Sequence, residues 1–231
     1  MKIGIVVFPG SNCDEDIFHV FKYILQQDTH KLWHKDTDLK DCDFIVVPGG
    51  FSYGDYLRAG AIARFSPIME SVIRHAQQGG YVLGICNGFQ ILTEAHLLPG
   101  VLLPNINQKF ICKNVFLKPA TDSTIITTTL DQDRVYKVPI AHAEGRYYAS
   151  PDVIKEMEDN EQILFYYASE SGKIEESSNP NGSINNIAGV ANRQKNVMGL
   201  MPHPERAADE ALRNTDGRLL LETFLQSEKL V

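Results

Sequence analysis

The chain has 231 residues, 43% of them hydrophobic, which is enough to build one full core and points to a single elaborated domain over residues 1–231. Its formal charge of −7, from 22 basic and 29 acidic residues without a basic run, argues against nucleic acid or an anionic membrane as the main partner. No run approaches the ~18 apolar residues of a membrane span, the N-terminal apolar stretch is too short for a signal peptide, and the four cysteines form no C-x-x-C pair or zinc-spaced cluster, so free thiols in a reducing cytoplasm and no metal site are expected.

Residues 3–8 are a continuous β-prone run, as in a strand buried on both faces. Pro9-Gly10-Ser11 turns the chain. Asn12 and Glu15 then have the spacing of a capping box, ahead of Ile17, Val20, Phe21, Ile24 and Leu25 at helical spacing. Lys31-Leu32-Trp33 is a weak second strand. Phe44-Ile45-Val46-Val47 is a strong third one, ended by Pro48-Gly49-Gly50. A loop rich in Gly and Tyr spans 51–60. Ser66 is placed to cap a helix with Pro67 at its first position, and Gly79-Gly80 stops that helix. Tyr81-Val82-Leu83 is the next strand, followed by a helix to about Ala95. Strands alternating with helices predict a parallel sheet covered on both faces.

The second half is richer in strand signals, at 110–117, 124–129, 135–141, 163–168, 187–191 and 197–201. Residues 151–160 read as a short helix. Residues 169–186 are polar and turn-rich around Asn179-Pro180-Asn181-Gly182, which predicts a surface loop. Thr215 is placed to cap a last helix through about Ser227. The expected class is α/β: a mostly parallel central sheet with helices on both faces, plus additional antiparallel strands.

Gly84-Ile85-Cys86-Asn87-Gly88 carries the chemistry. An apolar run leads into this G-x-C-x-G and a helical pattern leaves it, the order of a nucleophile elbow with a thiol in place of a hydroxyl. The turn is tight enough to need Gly two residues before and two after the nucleophile. The thiol then sits at a helix N-terminus, where the dipole and free N–H groups favour a thiolate and an oxyanion.

Thiolate attack on a carbonyl needs a base and a group that orients it. His203, in Met201-Pro202-His203-Pro204-Glu205, follows a strand. Prolines on both sides favour an extended backbone, in which His203 and Glu205 lie side by side. That makes Cys86, His203 and Glu205 a nucleophile–base–acid triad. Strand ends after Val47, Ile85 and Met201 would face one crevice of a parallel sheet. The backbone N–H groups of Gly50 (or Phe51) and Asn87 are the candidate oxyanion pair.

Taken singly, these motifs also describe a buried cysteine, an ordinary turn and a surface pair. Their joint occurrence after β-prone runs points to catalysis. Cys13, Cys42 and Cys112 lack an elbow and read as ordinary thiols. His142, in a polar turn after a strand, fits a place in the site or a structural role. The cluster of Phe51, Tyr53 and Tyr56 fits core packing, a lid or a partner surface.

Pro48-Gly49-Gly50, Gly84-Ile85-Cys86-Asn87-Gly88-Phe89-Gln90 and His203-Pro204-Glu205 resemble the three signatures of class I (triad) glutamine amidotransferases. Longer blocks resemble the branch that serves purine biosynthesis: Val7-Phe8-Pro9-Gly10-Ser11-Asn12-Cys13, residues 50–60, Pro139-Ile140-Ala141-His142-Ala143-Glu144-Gly145 and residues 199–206. The resemblance implies a flavodoxin-like fold and hydrolysis of L-glutamine to glutamate and ammonia. It places Gln90 against the substrate, and Gly49 and His142 are the other candidate substrate contacts. It also implies no cofactor in this chain: ATP, magnesium and formylglycinamide ribonucleotide would belong to a larger synthetase subunit, with a small accessory subunit aiding assembly. The 51–60 loop is the expected partner contact. Two other readings stay open at this point: another cysteine hydrolase on a related fold, and a non-catalytic regulatory subunit.

Overall fold

The computed structural model describes residues 1–226. Its elements run in the order β1 (Lys2–Val7), α1 (Asp14–His19), β2 (Asp28–Trp33), β3 (Phe44–Val47), α2 (Pro67–Gln77), β4 (Tyr81–Ile85), α3 (Asn87–Glu94), β5 (Val101–Leu103), β6 (Ile111–Pro119), β7 (Tyr136–His142), β8 (Arg146–Tyr148), α4 (Pro151–Asp159), β9 (Ile163–Ala168), β10 (Ile187–Ala191), β11 (Val197–Leu200) and α5 (Asp216–Gln226). Nine strands form one sheet in the order β2-β1-β3-β4-β11-β10-β9-β6-β7. The first five are mutually parallel, and the last four extend the sheet antiparallel.

The parallel half explains its own sequence. All four residues of β3 and all of β11 are buried, because helices cover both faces there, so these strands show no polar alternation. β7 instead alternates buried and less buried positions from Tyr136 to His142, as expected of an antiparallel strand near the sheet edge. In α2, Ile68, Met69, Val72 and Ala76 form the buried stripe at helical spacing.

β3, β4 and β11 are neighbours in near-perfect register: Val47 lies opposite Gly84, and Ile85 opposite Leu200. Their carboxyl ends therefore open side by side, as the sequence predicts. The antiparallel half does something the sequence does not predict. The pairing of β10 with β9 slips on both sides of Gly189, and such irregularities increase twist and bend a sheet. β7, four strands beyond β11, returns to the same crevice. The His203 N–H donates to the Pro139 carbonyl at 2.8 Å, and the Cys86 sulfur lies 3.8 Å from the Ala141 carbonyl oxygen.

Several local expectations fail, each for a visible reason. The Asn12 capping box does not form: α1 starts after Cys13 with no side-chain cap. Asn12 is held in the loop by close packing on Gly50, where a Cβ would come within 2.7 Å of the Asn12 nitrogen. Ser66 precedes α2 but caps nothing, since its hydroxyl pairs with the Tyr53 hydroxyl at 2.8 Å. Residues 124–129 are turns, not a strand. The Thr127 and Thr128 N–H groups donate to the Thr124 carbonyl, and the Thr124 and Thr127 hydroxyls bond each other, a local alternative that threonine offers to a ladder.

The 169–186 segment is not all surface. Asn181, Ser183 and Asn186 are buried, and the Asn181 amide donates to the Gly145 carbonyl while the Ser183 hydroxyl accepts from the Tyr147 N–H. The β5–β8 pair was not foreseen, because three-residue strands leave too short a pattern to read. The first helix continues through Val20–Ile24 with widened π-type hydrogen bonding before β2. α5 follows Thr215, and its expected end at Ser227 lies outside the described residues.

Candidate active site

Cys86 sits between β4 and α3 with φ 50° and ψ −106°, a conformation that costs a side-chain-bearing residue ~1–3 kcal/mol. The surrounding contacts hold it there. Its N–H donates to the Leu200 carbonyl at 2.8 Å, and its carbonyl accepts from the Gln90 N–H at 3.1 Å. The two flanking glycines have different neighbours. A Cβ on Gly84 would lie 2.7 Å from the Gly88 backbone, while one on Gly88 would lie 1.8 Å from the Val47 carbonyl oxygen. Gly88 is thus the point where α3 presses on the end of β3. We expect Gly88→Ala to lose at least ~3 kcal/mol of stability, because the contacting atoms, from Val47 and Pro48, are all backbone. Urea unfolding, with Cys86 alkylation as a second readout, measures that loss.

His203 and Glu205 are almost completely buried, and the Nδ1 atom of His203 lies 2.6 Å from Glu205 Oε1. The His203–Glu205 contact is as expected, but its backbone cause differs. His203 has φ −104° and ψ 87°, and Pro204–Ala207 then make a 3₁₀ turn rather than an extended run. The turn brings residue 205 back under the imidazole. With Nδ1 tied to the carboxylate, Nε2 is left without a hydrogen-bond partner, facing inward.

Burial by itself pushes the His203 imidazole down. The Glu205 carboxylate outweighs it, helped by the neighbouring Cys86 and Cys13 side chains, and holds the imidazole well above the ordinary histidine value.

Of the oxyanion candidates, Phe51 is removed: its N–H donates to the Gly10 carbonyl at 3.1 Å. Gly50 and Asn87 remain. Gly50 has φ +134°, a value only glycine adopts readily. Gly49 does not line the cavity next to Cys86. It is glycine for another reason, since a Cβ there would lie 2.7 Å from the Cε1 atom of His203.

Gln90 and His142 both line the cavity beside Cys86. Gln90 is committed to its walls: it donates to the Glu144 carbonyl and accepts from the Asn87 amide at 2.9 Å. Asn87 in turn accepts from the Ser52 N–H at 3.1 Å and donates to Asp55 at 3.3 Å. The residue after Cys86 therefore anchors the 51–60 loop. His142 Nδ1 lies 3.0 Å from Asn105 Oδ1. Burial, and then repulsion from His203, lowers His142 to about 4, so it is neutral near pH 7.

The reading of Cys13 as an ordinary thiol is incomplete. Its sulfur would lie 3.2 Å from a Cβ on Gly49, beside His203, and accepts from Arg206 Nη2 at 3.1 Å. Cys13 Sγ and ligand atoms of His203 and Glu205 lie within 4.8 Å of one another. Asp55 and Glu144 were also missed, although both belong to sequence blocks that carry the resemblance. The three-residue cluster at 51, 53 and 56 divides: Tyr53 turns inward to His34 at 2.6 Å, while Phe51 and Tyr56 are exposed.

The chain matches the CobB/CobQ-like glutamine amidotransferase domain over residues 1–220. It is 53% identical over 227 residues to phosphoribosylformylglycinamidine synthase subunit PurQ of Acaryochloris marina, covering 98% of this chain and 97% of that protein. The Synechocystis PurQ subunit is 57% identical over 216 residues, with 94% and 96% covered. Among solved structures, PurLQS from Thermotoga maritima contains a chain that superposes with TM-score 0.87 at 39% identity, covering 98% of both. No helix among the described residues is long and apolar enough to cross a membrane.

Proposed function

The chain belongs to the CobB/CobQ-like glutamine amidotransferase family, and on that premise we propose that it is the glutaminase subunit of phosphoribosylformylglycinamidine synthase in purine biosynthesis. The carrying observation is that a chain matching PurQ subunits end to end holds Cys86, His203 and Glu205 at adjoining strand ends.

The Cys86 sulfur attacks the Cδ carbonyl of L-glutamine, and the carbonyl electrons move to the oxygen. The Gly50 and Asn87 N–H groups face that charge. As the tetrahedral intermediate collapses, His203 gives its proton to the leaving nitrogen and ammonia departs, leaving a γ-glutamyl thioester. His203 then takes a proton from water, whose oxygen attacks the thioester and releases glutamate. Glu205 keeps the ring oriented through both steps. Gln90 and His142 border the bound substrate.

The ammonia passes to a larger synthetase subunit, which binds ATP, magnesium and formylglycinamide ribonucleotide and makes formylglycinamidine ribonucleotide. A small accessory subunit completes the assembly, and the complex works in the cytoplasm. The name PurLQS of the Thermotoga maritima assembly supports a multi-subunit enzyme. The 51–60 loop is the proposed contact. Tyr56 and Leu57 are 74% and 92% exposed beside the cavity mouth, unusual for large apolar side chains in so short a stretch.

Incubating the protein with glutamine, alone and with the synthetase subunit, tests this reading through glutamate, ammonia and a glutamyl adduct on Cys86. We expect weak or no turnover alone and clear turnover in the complex. An assembled complex that leaves glutamine intact would establish a non-catalytic subunit instead.

A further inference from the structure

The cavity beside Cys86 has a wall that the proposed mechanism does not use. Asp55 and Glu144 line it from the 51–60 loop and from the turn after β7, and no Lys or Arg lines it among the described residues. Arg58, in the same loop, is already engaged, making two 2.7 Å bonds to Glu94. The helix after Cys86 holds the Asp55 carboxylate through Asn87 and the backbone of Glu144 through Gln90. Asp55 has φ 52° in a segment where Tyr53, Gly54 and Leu57 are also left-handed. Strain of that kind persists only where the surroundings fix the backbone.

A second, independent observation concerns His142. It is 3% exposed and lines the same cavity, and its Nε2 has no partner. The Asn105 amide donates to the Lys109 and His142 carbonyls, which fixes its oxygen toward His142 Nδ1. Nδ1 is therefore the protonated nitrogen and Nε2 a bare acceptor. A buried acceptor without a donor is costly, so the occupant of this cavity must bring N–H groups.

Resting on the glutaminase reading, we propose that Asp55 and Glu144 form the subsite for the substrate's α-ammonium group, and so restrict the site to free amino acids. Two carboxylates facing an uncharged cavity attract a cation and repel an additional anion. Burial, and then the Glu144 carboxylate, push Asp55 up to about 6, against the Asn87 hydrogen bond, so an ammonium placed between the two would relieve their repulsion.

The test compares L-glutamine with glutaric acid monoamide, the same skeleton without the α-ammonium, in the assembled enzyme. Asp55→Asn and Glu144→Gln are expected to raise KM for glutamine about 10- to 100-fold, as loss of one charge-assisted hydrogen bond does. Changes in kcat should stay within about threefold, the pattern of lost ground-state binding. KM for the monoamide should stay put, and Asp55→Glu should restore part of the loss. Iodoacetamide should alkylate Cys86 at the wild-type rate in both variants, which shows an intact elbow. An unchanged glutamine KM, or equal losses for both amides, overturns the subsite while leaving the glutaminase reading standing. A wild-type complex that hydrolyses neither amide overturns both.

Discussion

Cys86→Ala abolishes glutamine hydrolysis in the assembled enzyme, by about 10⁴-fold or more, while synthesis from added ammonium salts continues. The first half follows from covalent chemistry. Without the sulfur no thioester forms, and the oxyanion donors alone leave only a small residue of catalysis. The second half follows from position. Cys86 is 5% exposed at the end of β4, and its hydrogen bonds to Leu200 and Gln90 are made by its backbone. Alanine keeps both, so the fold and its docking surface survive. Initial rates with glutamine and with ammonium chloride, run side by side, measure the two activities. Parallel loss of both would mean that the cysteine is structural, and full glutamine activity would refute the mechanism.

Glu205→Gln lowers kcat/KM for glutamine by about 10²- to 10⁴-fold, the range for removing the orienting acid of a triad. The amide can still reach Nδ1, so the ring need not move far, but the charge that favours imidazolium is gone. The sign on pH follows directly. The folded His203 stands above its ordinary value, so the stabilisation from its pairing with Glu205 is fully present below that ordinary value. It is lost as pH rises through the raised folded one. Removing the carboxylate lets burial dominate and the imidazole titrate lower. The alkaline limb of kcat/KM against pH therefore moves to lower pH in the variant. Unfolding midpoints should fall as well, because the stabilisation from the buried His203–Glu205 pairing is lost. A profile that keeps its alkaline limb would assign that limb to another group.

What was legible in the chain was whatever depends on near neighbours. The elbow needs glycine at 84 and 88 because of contacts within one turn and one adjacent strand end. The ladders of β1, β3, β4 and β11 are written as unbroken apolar runs because both faces are covered. Capping was less legible. Asn12 and Ser66 have the right residue types, yet distant partners, Gly50 and Tyr53, take them out of the role. The 124–129 stretch reads as strand by β-branching alone, while its hydroxyls satisfy the backbone locally as turns.

The site divides in the same way. Sequence by itself determined the candidate nucleophile, base and acid, since each lies in a short motif whose geometry is nearly local: a forced turn at Cys86 and a two-residue separation between His203 and Glu205. Tertiary structure alone decided which groups surround them. β7 returns to the crevice from four strands away in the sheet, bringing Ala141, His142 and Glu144 to a cysteine more than fifty residues away in the chain. The same packing sets Cys13 beside His203 and turns Asp55 toward Glu144. No periodicity encodes such meetings, because they depend on how nine strands twist together and not on the spacing of residues along any one of them.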